Sequence, residues 1–250
     1  MERNFTREDF LLLAKMAQQT ERYQDMLDYI GKFVKSEVEL NTEERSIVSA
    51  AYKNVVGNKR AELRVLQAIE QKENRKANES HVTYINNYRD QIEKELKSLC
   101  EDILNIIDRY LIPNTKSAVD SKVFYLKMKG DYNRYLTEFL TMEQEYNDAV
   151  EKSLDSYKEA DNLARNNLAT TNPIRLGLQL NLSVFYYEIL KKPEEAKQIA
   201  NNAFEEAIAN IDNVNQENYK DCTLIMQLLR DNITLWSNDV QIDEQAEENN

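Results

Sequence analysis

Lys122, Lys127, Lys129 and Arg134 fall within thirteen residues of the stretch KVFYLKMKGDYNRYLTEF, in a chain of 250 residues whose formal net charge is −12. Cations gathered this closely in an acidic protein suit it to hold an anion. Helix geometry sorts them further. Residues seven apart on a helix lie only about 20° out of register, so Lys127 and Arg134 share a face. Lys53 and Arg60 form a second pair at that spacing, with Arg64 four residues on. Were the two helices neighbours, the stripes would merge into one positive patch.

A complement appears later in the chain. Asn181 and Glu188 are also seven apart, with Leu180 and Val184 nearby, and Leu224, Leu228 and Asn232 recur every four residues beside Ile225 and Trp236. Amides able to bond a peptide backbone, set in an apolar strip, are what a groove for an extended peptide needs. A basic wall facing an amphipathic one suggests an anionic peptide ligand. Each feature has a plainer reading too. Basic pairs on long helices are commonly solvated faces or partners of nearby acids, and apolar strips are commonly core.

The elements that position these residues are helices. Four glycines and three prolines offer little turn chemistry for a many-stranded protein, and 42% hydrophobic residues in 250 can bury a sizeable core. Periodicity predicts two short helices in the first thirty residues with a break near 20–23. A helix of some thirty residues follows, with Thr42 as its N-cap and Arg45 where a capping-box acid would sit, and then one that stops at Pro113. Further helices are predicted at about 119–142, 144–168, 172–193, 193–212 and 217–236. The final segment SNDVQIDEQAEENN, with five acids and no base, reads as a disordered tail at 237–250. With no Gly/Ser/Pro-rich linker before it, residues 1–236 read as a single domain.

Several function classes are disfavoured. Cys100 and Cys222 match no thiol–metal spacing, and His81 is the lone histidine, so neither a metal site nor a cofactor is expected. His81 has no glutamate three residues before it and no nucleophile elbow to serve, which leaves no catalytic residues to name. The acidic balance argues against nucleic acid. No stretch approaches the ~18 apolar residues of a bilayer span, and no secretory leader is visible, so a reducing cytosolic setting is expected. A helical-repeat scaffold holding unphosphorylated acidic peptides is the alternative, but no 34-residue self-similarity runs through the chain.

Longer segments carry a resemblance. YKNVVGNKR at 52–60, LIPN and SKVFYLKMKGDYNRYL within 111–136, NPIRLGLQLNLSVFYYEIL at 172–190 and YKDCTLIMQLLRDNITLW at 219–236, with ERYQDM and IEQK, resemble the signature segments of the 14-3-3 family. That resemblance implies an all-α fold of nine antiparallel helices forming a cup-shaped subunit with an amphipathic groove. Its implied function is that of an adaptor, not an enzyme, which binds phosphoserine or phosphothreonine motifs and clamps or masks client proteins. By position, Lys53, Arg60, Arg134 and Tyr135 would hold the phosphate with Lys127 nearby. Asn181 and Asn232 would bond the peptide backbone and Glu188 would support that wall. Leu180, Val184, Leu224, Ile225, Leu228 and Trp236 would line the apolar side, and Lys122 and Lys129 would be solvated.

The resemblance also implies a homodimer, or a heterodimer with a sister isoform, through Arg22, Asp25, Glu62, Tyr88, Gln91 and Glu95. The chain departs from the family pattern here. Glu62 replaces a common serine, Leu63 a usual tryptophan and Gln91 a lysine that meets the acid corresponding to Asp25; Asn133 stands where a second aromatic is usual. An unpaired interfacial carboxylate is costly, so either the dimer is weakened or Glu62 finds a local basic partner. The acidic tail is a candidate competitor for the basic groove.

Overall fold

The computed structural model describes residues 5–36, 38–76, 79–115 and 118–248. Among them nine α-helices and no strand occur. The contacts divide into two compact units, Met1–Lys116 and Ser117–Asn250, where the sequence reading expects one domain over 1–236.

The first unit holds α1 (Arg7–Gln19), α2 (Tyr23–Phe33), α3 (Thr42–Arg75) and α4 (Glu79–Ile106). Thr6 and Asp9 cap α1 reciprocally, and Glu21, at φ 56, turns the chain between α1 and α2 at the expected break. The start of α3 differs from expectation by one residue: Asn41 is the N-cap, and Glu44, not Arg45, closes the capping box. Glu44 also binds Arg7 at 2.8 Å, and the Arg7 guanidinium lies 4.2 Å over the Phe33 ring. Met26, Ile30 and Phe33 of α2, Val48, Ala51 and Tyr52 of α3, and Leu96, Cys100 and Ile103 of α4 form buried stripes at helical spacing. After Ile106 the helix widens into a π turn, Ile107–Leu111, and ends just before Pro113.

The second unit holds α5 (Val119–Thr137), α6 (Glu143–Asn167), α7 (Pro173–Glu188), α8 (Pro193–Ile208) and α9 (Gln216–Glu248). Proline opens both α7 and α8, where its missing N–H costs nothing, and Asn172 caps α7 through Ile174 N at 2.8 Å. Alanines 196, 200, 203 and 207 line one face of α8 and let it pack closely with Leu176, Cys222, Met226, Leu229 and Trp236.

Several helix ends differ from the sequence reading: α7 stops at Glu188, not 193, and α8 at Ile208, not 212. α5 stops at Thr137, not 142, and α9 continues to Glu248, not 236. Residues 237–248, read from the sequence as part of a disordered tail, are helical, and 249–250 lie outside the described residues. Alanine, glutamate and glutamine, which recur in this segment, are strong helix formers.

Candidate functional site

α5 is the least ordinary helix of the second unit. It buries Ser121, Asp131, Asn133, Arg134 and Thr137 alongside Val123, Tyr125 and Met128, because α6 and α7 both pack against it. Buried polar groups need partners, and here they have them. Asp131 is the hub. Its carboxylate accepts from Lys127 Nζ at 2.8 Å, from the Tyr157 hydroxyl at 2.5 Å and from Asn181 Nδ2 at 2.7 Å. Arg134 Nη2 stands 3.6 Å from the same carboxylate. Arg134 Nε donates to the Tyr157 hydroxyl at 3.3 Å, and its guanidinium lies 4.8 Å from the Tyr135 ring centre.

The electrostatics follow from this geometry. Burial pushes the Asp131 carboxyl up, but the Lys127 ammonium and the Arg134 guanidinium, with hydrogen bonds from Lys127 and Tyr157, hold it below the ordinary carboxylate value. Burial likewise pulls Arg134 down, and its contacts with Tyr157, Asp131 and Tyr135 push it above the ordinary arginine value. Burial and the neighbouring Asp131 raise the Tyr157 phenol well above its usual range. The cluster therefore holds two cations, one anion and a neutral phenol at neutral pH.

An apolar strip adjoins it within the same unit. Gly177 of α7 lies beneath the Lys127 stem: a Cβ built there would stand 3.7 Å from Lys127 Cε and 4.0 Å from Ile225 Cδ1. Leu180, Val184 and Ile225 are half-buried against the α7–α9 core, while Leu224 and Leu228 are 59% and 43% exposed. Asn232 is half-buried on α9, and Glu188 is the exposed last residue of α7. Trp236 differs from its expected role as a lining residue. Only 3% exposed, it belongs to the core and stacks on Tyr187 at 4.8 Å and 14°. Lys122 pairs with the exposed Glu159 at 3.1 Å, and Lys129 is half-buried and engaged.

The remaining named residues belong to the first unit. Lys53 is exposed and Arg60 half-buried on α3. Lys59 pairs with Glu62 at 3.0 Å and with Glu95 at 2.8 Å, and Gln91 donates to Glu95 at 3.0 Å. Arg22, the N-cap residue of α2, pairs with Asp25 of that helix at 2.5 Å. Glu62 thus has the local basic partner that the sequence left as one of two options. Beside this cluster an apolar depression of about 570 Å³ is lined by Val65, Leu66, Ile69, Tyr88 and Ile92. Leu63 is buried.

Asp131 and Tyr157 were not singled out from the sequence. The i, i+4 and i, i+3 spacings of Asp131 from Lys127 and Arg134 were there to be read. Tyr157, arriving from α6, left no local signal.

Nine α-helices among the described residues, a buried guanidinium–carboxylate–phenol network on α5 and half-exposed leucines on two further helices define a class of all-helical protein. The chain belongs to the 14-3-3 family, whose profile, described as 14-3-3 protein, matches residues 13–237. It is 54% identical to the 14-3-3-like protein GF14 phi of Arabidopsis thaliana over 97% of this chain and 90% of that one. Identity to the 14-3-3-like protein F of Nicotiana tabacum is 54% over 97% and 94%. The Drosophila melanogaster 14-3-3 protein epsilon is 52% identical over 95% and 90%. Among the described residues no helix is long and apolar enough to cross a membrane.

Proposed function

We propose that this protein is an adaptor that binds phosphoserine or phosphothreonine peptides of client proteins and regulates them by clamping or masking. The observation that carries the reading is the α5 cluster: Arg134 and Lys127 held on a buried carboxylate, one hydrogen bond from Asn181, with Lys127 and Ile225 of α9 both reaching Gly177. A phosphate monoester at neutral pH brings nearly two negative charges and three acceptor oxygens. A guanidinium meets two of those oxygens in a fork, and the Tyr135 hydroxyl supplies a further donor. One net positive charge from Lys127, Arg134 and Asp131 does not match a dianion, and the family resemblance assigns Lys53 and Arg60 to the phosphate as the further cations.

In this reading Asn181 and Asn232 bond the peptide backbone and Glu188 supports that wall, while Leu180, Val184, Leu224, Ile225 and Leu228 take its apolar side chains. No catalytic step is involved. The protein works in the cytoplasm, with the nucleus open to it, and as a homodimer or a heterodimer with a sister isoform. The apolar depression beside Lys59 then lies at the contact with the second subunit. Two grooves held together would engage two phosphosites on one client at high effective concentration.

Fluorescence anisotropy with one arginine-rich peptide, in phosphoserine and plain serine versions, tests the reading. Binding confined to the phosphorylated form and abolished by Arg134→Glu or Lys53→Glu is expected. Equal binding of both versions would overturn it and favour the acidic-peptide scaffold.

A further inference from the structure

We infer that Asp131 is a positioning residue of the groove: its buried carboxylate fixes which end of the Asn181 amide faces outward and holds Arg134 through the Tyr157 hydroxyl, so that phosphate and backbone recognition share one support. The inference rests on the phosphopeptide reading and deepens it.

The hydrogen-bond inventory carries the argument. An ionised carboxylate only accepts, so the Asn181 amide must turn its nitrogen towards Asp131, as it does at 2.7 Å. That leaves the amide Oδ1 and the second Nδ2 proton for a peptide, one acceptor and one donor, which is the complement of a peptide unit. Tyr157 is fixed in the same way. Its single O–H proton goes to Asp131, so its lone pairs face Arg134 Nε at 3.3 Å. With the Nε edge committed, Arg134 keeps Nη hydrogens for a phosphate. Lys127 binds the other carboxylate oxygen, which prevents Asp131 from rotating away from its two neutral donors. Were residue 131 an asparagine, it could offer either oxygen or nitrogen, and the Asn181 amide would lose its single orientation.

The test is a double-mutant cycle on the full chain with a labelled phosphoserine peptide, comparing wild type, Asn181→Ala, Asp131→Asn and the double variant. Asn181→Ala is expected to weaken binding about tenfold in the native background and by less than about twofold once Asp131→Asn is present. An Asn181→Ala loss of the same size in both backgrounds overturns the proposal. So does an Asp131→Asn protein that binds like wild type.

A second arm needs no ligand and serves even where Asp131→Asn does not fold. The Asn181 side-chain amide resonances, identified by their loss in Asn181→Ala, are expected to be slowly exchanging in wild type and to shift in Tyr157→Phe, which removes the hydroxyl but keeps the ring. Fast exchange in wild type, or no shift, overturns the proposal. A wild-type protein indifferent to phosphate would sink the phosphopeptide reading alone, and these resonances would still decide the placement of Asn181 by Asp131.

Discussion

The ring of Tyr157 lies so close to Gly130 that a Cβ at position 130 would stand 2.6 Å from ring atom Cε1 and 2.7 Å from Cδ1. Ser153, one helical turn before Tyr157 on α6, donates to the Gly130 carbonyl at 2.9 Å. Absence of a side chain at 130 is thus what lets α6 approach α5 near enough for the Tyr157 hydroxyl to reach Asp131 and Arg134.

Gly130→Ala should therefore destabilise the second unit although alanine is the better helix former. Overpacking costs about 1–3 kcal/mol, and the propensity gain of about 1 kcal/mol offsets only part of it. A melting temperature lowered by several degrees, with weaker phosphopeptide binding as Tyr157 is displaced, is the expected result. An unchanged melt with unchanged affinity would contradict the tight contact.

How much of this was legible in the sequence varies with the range of the interaction. The helices were legible because apolar spacing is local, and the prolines at 113, 173 and 193 marked ends that the structure keeps. The cap of α3 was misplaced by one residue because Asn41 and Thr42 are both good caps. The reciprocal bonds between Asn41 and Glu44, Glu44 N to Asn41 Oδ1 and Asn41 N to the Glu44 carboxylate, each at 3.0 Å, decide between them. Lys127 and Arg134 were legible as a stripe, yet Asp131 between them was not seen as their common support. Its other partners, Tyr157 and Asn181, lie 26 and 50 residues away. Trp236 was assigned to the groove because it continues the spacing of Leu224 and Leu228, whereas stacking on Tyr187 takes it into the core.

Acid should release the α5 network. The pKa of Asp131 is lower in the folded protein than in the unfolded chain, despite burial, because Lys127 and Arg134 outweigh it. The carboxylate's contribution is accordingly full above the unfolded carboxylate value of about 3.9 and is lost as pH falls through the lower folded value. Denaturant midpoints measured downward from pH 5 should fall in that acid window for wild type. Asp131→Asn should start lower, since two cations lose their counter-charge at a cost on the order of 3 kcal/mol, and should show a shallower fall. Parallel curves would mean that Asp131 does not set the acid limb.

Lys59 should govern self-association. It holds Glu62 and Glu95 at once, and hydrogen bonding to Glu95 heads the causes that raise its pKa above the ordinary lysine value. In the isolated subunit these carboxylates are about two-fifths exposed, so their pairing adds little stability there. Covering the neighbouring apolar depression with a second subunit would desolvate them, and Lys59→Gln would then leave two uncompensated charges. A dimer dissociation constant raised at least about tenfold is expected by sedimentation across a concentration series, with melting of the first unit nearly unchanged. The reverse pattern, a lower melt with the same dimer strength, would place the cluster away from the subunit contact.

Trp236 and Leu228 should separate stability from binding. The single tryptophan of the chain is 3% exposed and stacked on Tyr187, whereas Leu228, two turns earlier on α9, is 43% exposed. Trp236→Ala should lower the stability of the second unit by about 3–5 kcal/mol, the cost of emptying a large core site. Trp236→Phe keeps a ring against Tyr187, so it should change phosphopeptide affinity less than about twofold, well below one kcal/mol. Leu228→Ser should do the opposite, leaving the melt within about a degree or two while weakening any peptide with an apolar side chain beside its phosphoserine. Affinity lost with Trp236→Phe and stability lost with Leu228→Ser would reverse the two assignments and return Trp236 to the groove wall.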